Sequence, residues 1–518
     1  MLFSSLQFIF LFLPFTLAGY YGLIYFGKRD WIFLFLVFAS LVFYSVWNPP
    51  YVFLLIGSVL GNYVCGKIIQ TRAEKNKSNG LSLLLGTVGN LAILGWFKYA
   101  NFFVDNVNAV TSTQWTLDNI ILPLAISFYT FQQIAYLVDI ARGEVKAGGI
   151  WRYATFVIFF PQLIAGPIVH YKEMMPQFFG RNLGRFWRAD LAVGLTIFAI
   201  GLFKKTVIAD SAATFASPVF DAAHAGQPID LLMGWKAASC YTIQLYFDFS
   251  GYSDMAIGLA RMFGIRLPVN FHSPLRAGSI IEYWRRWHIT LQHFIVNYMY
   301  QPLVLPLARF SVDRGYGKWG SFFVTVAAPT VLVFIIIGLW HGSAWTFVLF
   351  GLMHGTYLAV NECWRLLMRK KRRRGGGPGQ LTVTVYYLIT LACVVLANVM
   401  FRAVTPQDAW TIWAAMFQIN QITGAWEAFP GTLAEVFSEP FLFVLCCVFI
   451  VALAPNTQQL LSRYRPVLEW ERWRKVALPV IPLTWRPTAL WAVWTGIVLF
   501  LGIAFISRAQ TEFIYFNF

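Results

Sequence analysis

The sequence predicts an all-α polytopic membrane protein with about eleven transmembrane helices. Three observations carry this. Hydrophobic residues make up 58% of the 518-residue chain and charged residues 12%, about half the share in an ordinary soluble domain. Apolar stretches that reach or approach the roughly 20 residues needed to cross a bilayer as helix recur along the whole length. The basic residues behind the net charge of +17 gather in short loops, the pattern of the positive-inside rule rather than of a nucleic-acid surface.

In chain order, candidate spanning or membrane-buried segments lie near 7–26, 31–47, 51–65, 81–97, 119–141, 153–169, 190–208, 231–247, 321–340, 343–366, 382–401, 440–457 and 488–506. Some are short or broken by Gly and Pro, so a few are expected to re-enter the membrane rather than cross it. The first, opened by MLFSSLQFIFLFLPF, lacks the basic region of a signal peptide and reads as an uncleaved helix. The loop 66–79 carries Lys67, Arg72, Lys75 and Lys77 against Glu74, and the run 369–374, RKKRRR, leads into GGGPGQ. Residues 463–475 add Arg463, Arg465, Arg472, Arg474 and Lys475. These three are expected on the cytoplasmic side, and the loop 402–439, with Asp408, Glu427, Glu435 and Glu439 against Arg402, on the outer side. The alternation closes with Lys28 and Arg29 inside and both termini outside. The chain 1–518 is expected to pack as one membrane-embedded domain. No internal repeat is evident, which weakens a transporter built from inverted halves. Cys65, Cys240, Cys363, Cys393, Cys446 and Cys447 show neither a CxxC pair nor disulfide-like spacing and read as packing residues.

Two histidines stand out. His341 closes the apolar run VLVFIIIGLWHG, where an ionisable group is costly and marks a pathway or a reaction centre. Under the charge alternation it falls at the end of its helix away from the cytoplasm, with Gly342, Gly351 and Gly355 allowing close packing or a break. The residues alone leave open a satisfied core histidine and a general base, since imidazole titrates near neutrality and takes a proton from an attacking hydroxyl. A metal ligand is disfavoured: His354, 13 residues on, faces elsewhere on an ideal helix, and no carboxylate or thiolate stands at ligand spacing. His288 lies in NFHSPLRAGSIIEYWRRWHITLQH, residues 270–293, too polar to span lipid and too aromatic for an ordinary loop. On a continuous helix Trp284 and His288 share a face. Arg285 and Arg286 suit either an interfacial helix with snorkelling side chains or a donor site attracting the phosphates of a carrier such as coenzyme A. Asp248, Ser253 and Asp254, in QLYFDFSGYSDMAIG, read as groups that hold helix ends together. GYSDM is not a nucleophile elbow, because Met255 stands where glycine is needed. His170, His224, His272, His293 and His354 are individually weak signals, and no phosphate loop or dinucleotide fingerprint appears.

The strings FKYANF (97–102), LPLAISFYTFQQIAYLVDIARGE (122–144), FFPQLIAGPIVHY (159–171), GLFKKTVIAD (201–210), QLYFDFSGYSDMAIGLA (244–260), EYWRRWHITL (282–291), GLWHGSAWTFVLFGLMHG (338–355) and MFRAVTPQDAWTIWAAMF (400–417) together resemble the membrane-bound O-acyltransferase family. The likeness is nearest to the membrane subunit of bacterial alginate O-acetylation and its cellulose-acetylating relatives. It runs in order over nearly the whole chain, with a core at about 97–417 and extra carboxyl-terminal helices at 440–518. Two departures stand out: NYMYQPLVLPLARF replaces the tyrosine-rich stretch and Leu-Gly-Gly turn that relatives place after RRWH, and Leu275 stands where an aromatic is usual. They put the local loop and its partner or donor contacts in question.

The resemblance implies a ring of transmembrane helices around a thin, tunnelled centre with re-entrant helices. It gives the catalytic role to His341, of the WHG motif, as general base or transient acetyl acceptor. His288, of the RRWH string, becomes the second active-site histidine, orienting or polarising the donor. Asp210, Asp254, Trp284 and Trp340 are supporting candidates, and Arg285 and Arg286 point to the donor. The implied reaction moves acetyl from a cytoplasmic thioester, acetyl-coenzyme A, to a hydroxyl at the outer face for O-acetylation of an alginate- or cellulose-type exopolysaccharide. No bound cofactor, metal or nucleic acid is expected. The implied partners are a periplasmic or membrane-anchored hydrolase-like acetyltransferase, a polysaccharide synthase or export complex, and the bilayer. The setting is a bacterial inner membrane with both termini periplasmic. The rival readings are a D-alanyl transfer protein of teichoic acids, a polymer transporter using the histidines as proton relays, and a scaffold for a polymer synthase.

Overall fold

Lipid offers the backbone no hydrogen-bond partner, so a chain this apolar must satisfy its amides internally. The computed structural model describes residues 1–28, 31–117, 120–179, 188–373, 379–418 and 438–508, and these form helices without a strand. Arg29, Arg374 with the following glycines, Glu427 and Glu435 lie outside the described residues.

The main helices are α1 (Phe8–Tyr25), α2 (Ile32–Ser45), α3 (Pro50–Glu74), α4 (Gly80–Thr111), α5 (Ile126–Ala141), α6 (Ile150–Ile158), α7 (Tyr171–Phe179), α8 (Arg188–His224), α9 (Leu231–Met262), α10 (Ile280–Trp284), α11 (Ile289–Ile295, running on through Val296–Tyr300 into Gln301–Asp313), α12 (Lys318–His341), α13 (Trp345–Arg373), α14 (Gln380–Arg402), α15 (Pro406–Met416), α16 (Glu439–Leu453) and α17 (Ala489–Phe505). Six of them, α1, α3, α4, α8, α12 and α14, are long and apolar enough to cross a membrane, and α2, α16 and α17 are apolar but shorter.

Three segments depart from the expected outline. In 119–141 the helix starts only at Ile126, after Pro123 and a left-handed Ala125 (φ 64°). In 153–169 no single helix forms: α6 stops at Ile158, Phe159 turns the chain, and Phe160–Leu163 makes one helical turn. Gly166 and Pro167 then carry a buried loop to α7. By contrast α9 continues far past 247, through QLYFDFSGYSDM, although that string is too polar for lipid. It is tolerated because α8 covers it. Gly201 and Gly251 face each other, a Cβ on either falling 2.6–2.7 Å from the other's carbonyl oxygen, and Gly194 and Gly258 repeat the contact one heptad away. At this close crossing Lys205 Nζ meets Asp210 Oδ1 at 2.6 Å and Asp248 Oδ1 at 2.9 Å, and Lys204 Nζ meets Asp254 Oδ2 at 2.6 Å. The acids expected to hold helix ends thus lock two helices together in mid-course.

Hydrogen bonds sort the helix ends into two sides. On one, Lys67 Nζ donates to Ala147 O (3.0 Å) and Tyr20 to Phe263 O (2.8 Å). On the other, Tyr44 donates to Leu124 O (2.9 Å) and His224 Nδ1 lies 2.9 Å from Asp408 Oδ2. The carboxyl-terminal stretch between α16 and α17 hooks onto the first side. Leu468 N–H donates to Leu267 O at 2.9 Å, and His272 Nε2 lies 3.0 Å from Val476 O.

The chain turns sharply after α12, and α13 packs back along it. A Cβ on Gly351 would stand 2.2 Å from Phe334 O, and one on Gly338 would stand 2.1 Å from Phe347 O. Gly351→Val is therefore expected to destabilise the protein by about 1–3 kcal/mol, read as a lower melting temperature in detergent. A wild-type melting temperature would show that the hairpin tolerates separation.

Candidate active site

The helix break after α12 places His341 at the centre of the protein, 3% exposed, with its ring 5.2 Å from that of Phe401 and 5.9 Å from that of Phe350. His288 is 1% exposed. The Trp340 indole lies between the two histidines, 4.9 Å from the His341 ring and 6.1 Å from the His288 ring. Phe131 stacks on this indole at 5.5 Å. The other end of the wall is Lys98, from FKYANF, whose Nζ donates to Trp340 O, while Tyr99 donates to Leu339 O at 2.9 Å.

His288 is held in an unusual way. α10 ends at Trp284, and His288 adopts a left-handed conformation (φ 44°, ψ 52°) as the residue before α11. The expected shared face of Trp284 and His288 is therefore corrected: the helix does not continue, and Trp284 Nε1 donates to His354 Nδ1 at 3.2 Å instead. A left-handed non-glycine residue costs about 1–2 kcal/mol, and Asn270 supplies the compensation. Its backbone carbonyl accepts Ile289 N–H at 2.9 Å. Its side-chain Oδ1 accepts Thr290 Oγ1–H at 2.9 Å and Thr290 N–H at 3.4 Å, and lies 3.1 Å from His288 Nδ1. Asn270 Nδ2 donates to Ser253 Oγ at 3.0 Å. A backbone N–H can only donate, so the atom facing Thr290 is oxygen and His288 Nδ1 carries the proton. That makes Nε2 the basic nitrogen of neutral His288.

The remaining candidates separate. Asp210 and Asp254 are engaged by Lys205 and Lys204 in the α8–α9 crossing. Arg286 is ion-paired with Glu282, and Arg285 is exposed. His354 is not on the helix of His341; the hairpin returns it so that Phe350 contacts both rings, at 5.9 and 4.6 Å.

Three cavities approach this layer. One of about 20 Å³ touches His341, Trp340, Lys98, Ile164 and the stretch 122–128. A second, also about 20 Å³, is lined by Ile168, Thr290, His170, Glu173, His293 and Glu469 among others. Burial pushes the Glu173 carboxyl up to about 6. The partition between them is the loop 164–168, pinned by Ile168 N–H donating to Thr290 Oγ1 at 3.0 Å. A third cavity of about 640 Å³, almost wholly apolar, reaches Trp340 from between α4, α5, α11 and α12.

Two buried imidazoles beside one indole in a helical membrane protein are groups able to take and return a proton. The sequence model of MBOAT, the membrane-bound O-acyltransferase family, matches residues 141–401. The peptidoglycan O-acetyltransferase of Helicobacter pylori is 41% identical over 451 residues, covering 82% of this chain and 81% of that protein. The probable alginate O-acetylase AlgI of Pseudomonas aeruginosa is 38% identical over 434 residues, covering 82% and 76%. The teichoic acid D-alanyltransferase of Streptococcus thermophilus is 26% identical over 247 residues, covering 46% and 57%. The chain belongs to the membrane-bound O-acyltransferase family and is an O-acyltransferase.

Asn270 and Lys98 were not singled out by the sequence. Asn270→Leu removes the acceptor that fixes His288, and is expected to lower the acyl-transfer rate about a hundredfold at unchanged membrane abundance. Asn270→Asp keeps the acceptor and sets a carboxylate against Nδ1–H, favouring the protonated ring. The acidic limb of the rate–pH profile should then move to higher pH. An unmoved limb would separate His288 from the rate.

Proposed function

We propose that the protein takes acetyl from a cytoplasmic thioester, acetyl-coenzyme A, and delivers it to a hydroxyl on the outer side of a bacterial inner membrane, for O-acetylation of an extracellular polysaccharide. The observation that carries this reading is the central layer, where His288 and His341 flank Trp340 and separate cavities approach from Thr290 and from 122–128. In this reading the basic stretches 66–79, at the end of α3 and beyond it, and 463–475 are cytoplasmic and both termini periplasmic, as the positive-inside rule asks. The cavity beside Thr290 and Glu469 then belongs to the donor side and the one beside His341 to the acceptor side.

The reaction follows from that arrangement. The acceptor hydroxyl attacks the thioester carbonyl carbon while His341 takes its proton. The C=O π pair moves to oxygen, and its return expels the thiolate, which takes the proton from His341. His288, held by Asn270, orients the donor. Arg285, which is exposed, and Arg286, held by Glu282, would offer cations to a donor phosphate. A periplasmic or membrane-anchored hydrolase-like acetyltransferase receives the acetyl group, beside a polysaccharide synthase or export complex.

Acetyl is favoured over D-alanyl because the O-acetyl-transferring relatives match 82% of the chain and the D-alanyl-transferring relative 46%. The relatives' names give two polymers, alginate and peptidoglycan. His341→Ala is expected to lower polymer acetylation by at least about a hundredfold with normal membrane abundance. Mass spectrometry of the polymer reads the ester as acetyl or D-alanyl. Retained acetylation in the variant would remove His341 as the base.

A further inference from the structure

We propose that Ser127 Oγ–H, at the amino end of α5, and Trp340 Nε1–H, near the end of α12, form the oxyanion site of acyl transfer. This deepens the function proposed above and rests on its reading of acyl transfer at the layer around Trp340.

Buried side-chain polar atoms nearly always find a partner, and one that does not calls for a reason. Ser127 Oγ and Trp340 Nε1 are both buried with no hydrogen-bond partner, and the residues are 5% and 6% exposed. The two come from distant parts of the chain, yet both residues line a small cavity that touches His341. Its volume, about 20 Å³, suits about one water-sized group, and a carbonyl oxygen is of that size. The walls at 122–128 include the first turn of α5, a 16-residue helix entered from a left-handed Ala125 that provides no side-chain cap. The amino end of a helix carries partial positive charge and favours an anion. Two residues with orphan donors, a helix amino terminus and a buried imidazole therefore line a space for one oxygen.

Acyl transfer needs that combination. As the hydroxyl oxygen bonds to the acyl carbon, the carbonyl π bond breaks and a full negative charge develops on its oxygen, while the hydroxyl proton passes to His341. Donors already buried and fixed stabilise this charge without reorganising. When the carbonyl re-forms, the carbon–sulfur bond breaks and the thiolate leaves with the proton. Leaving the donors unpaired in the resting protein costs stability, and the gain comes only in the transition state.

The test replaces each donor singly: Ser127→Ala, and Trp340 by 3-benzothienylalanine, which keeps the bicyclic shape and puts sulfur in place of N–H. Transfer of labelled acetyl from acetyl-coenzyme A into polymer is followed in membrane vesicles. Each replacement should lower kcat about a hundredfold, with KM for acetyl-coenzyme A unchanged and membrane abundance and melting temperature no lower than in the wild type. A wild-type kcat overturns the assignment, as does a loss confined to KM or to folded yield. If wild-type vesicles transfer nothing from acetyl-coenzyme A, the donor reading fails. The oxyanion site is then judged by polymer ester content in cells carrying the same replacements: undiminished ester overturns it, and loss at normal abundance upholds it. A His341→Ala protein that still acetylates sinks the base alone.

Discussion

The side-chain carbonyl of Asn270 is the point on which the centre of this protein depends. It gathers donors from His288 and Thr290, while the backbone carbonyl of the same residue takes Ile289. Without it, a left-handed histidine between two short helices would be a strained connection in the protein interior, and the chain would relax toward a continuous helix. With it, the break is held, the imidazole tautomer is set, and Thr290 is aligned to pin Ile168. One amide thereby fixes a side chain, a helix break and the partition between two cavities. Its own Nδ2 is tied to Ser253 of α9, so the device is anchored in the most closely packed part of the structure.

That anchorage explains why the α8–α9 crossing carries two lysines and three aspartates where hydrophobic side chains would pack more simply. Buried ion pairs seldom add net stability over apolar packing, but breaking one partner is costly. Glycines at four positions bring the backbones so close that little room remains for long apolar side chains. Short acids bridged by lysines fit this geometry and leave one relative placement of the two helices satisfied. The polar string of α9 thus anchors the central layer through Ser253, and Asp210 and Asp254 are engaged in the crossing by Lys205 and Lys204.

Much of this was legible in the sequence. The helical membrane class followed from apolar length and from the placing of charge. His341 and His288 stood out because imidazole is expensive at membrane depth, and the structure brings both to one indole. What sequence could not supply were contacts made across long separations. Lys98 reaches Trp340 over 242 residues, and its lysine in an apolar helix was read only as part of a string. Asn270 has a common loop composition around it, and nothing in its spacing marks a carbonyl with several donors. The helix expected to join Trp284 to His288 was a local inference, overridden by a hydrogen-bond pattern that closes only in three dimensions.

If acetyl crosses the membrane as proposed, the transfer must be kept from becoming a leak. A continuous water-filled passage would let protons and thioester hydrolysis through, so the donor and acceptor must meet across a barrier that is thin but closed. In that proposal the barrier is the indole of Trp340, the loop 164–168 and the two imidazoles, with aromatic rings packed behind them. Gly166 is needed in that loop because a Cβ there would stand 2.5 Å from the Gln162 backbone. Side chains of this kind exclude water by shape and still present nitrogen atoms at their edges. A partition one ring thick is about the least material that can separate two aqueous sides while letting a hydroxyl and a carbonyl carbon come within bonding distance. The proposed donors, Ser127 and Trp340, belong to that partition, so the group that seals the passage is also the group that would stabilise the charge formed in crossing it.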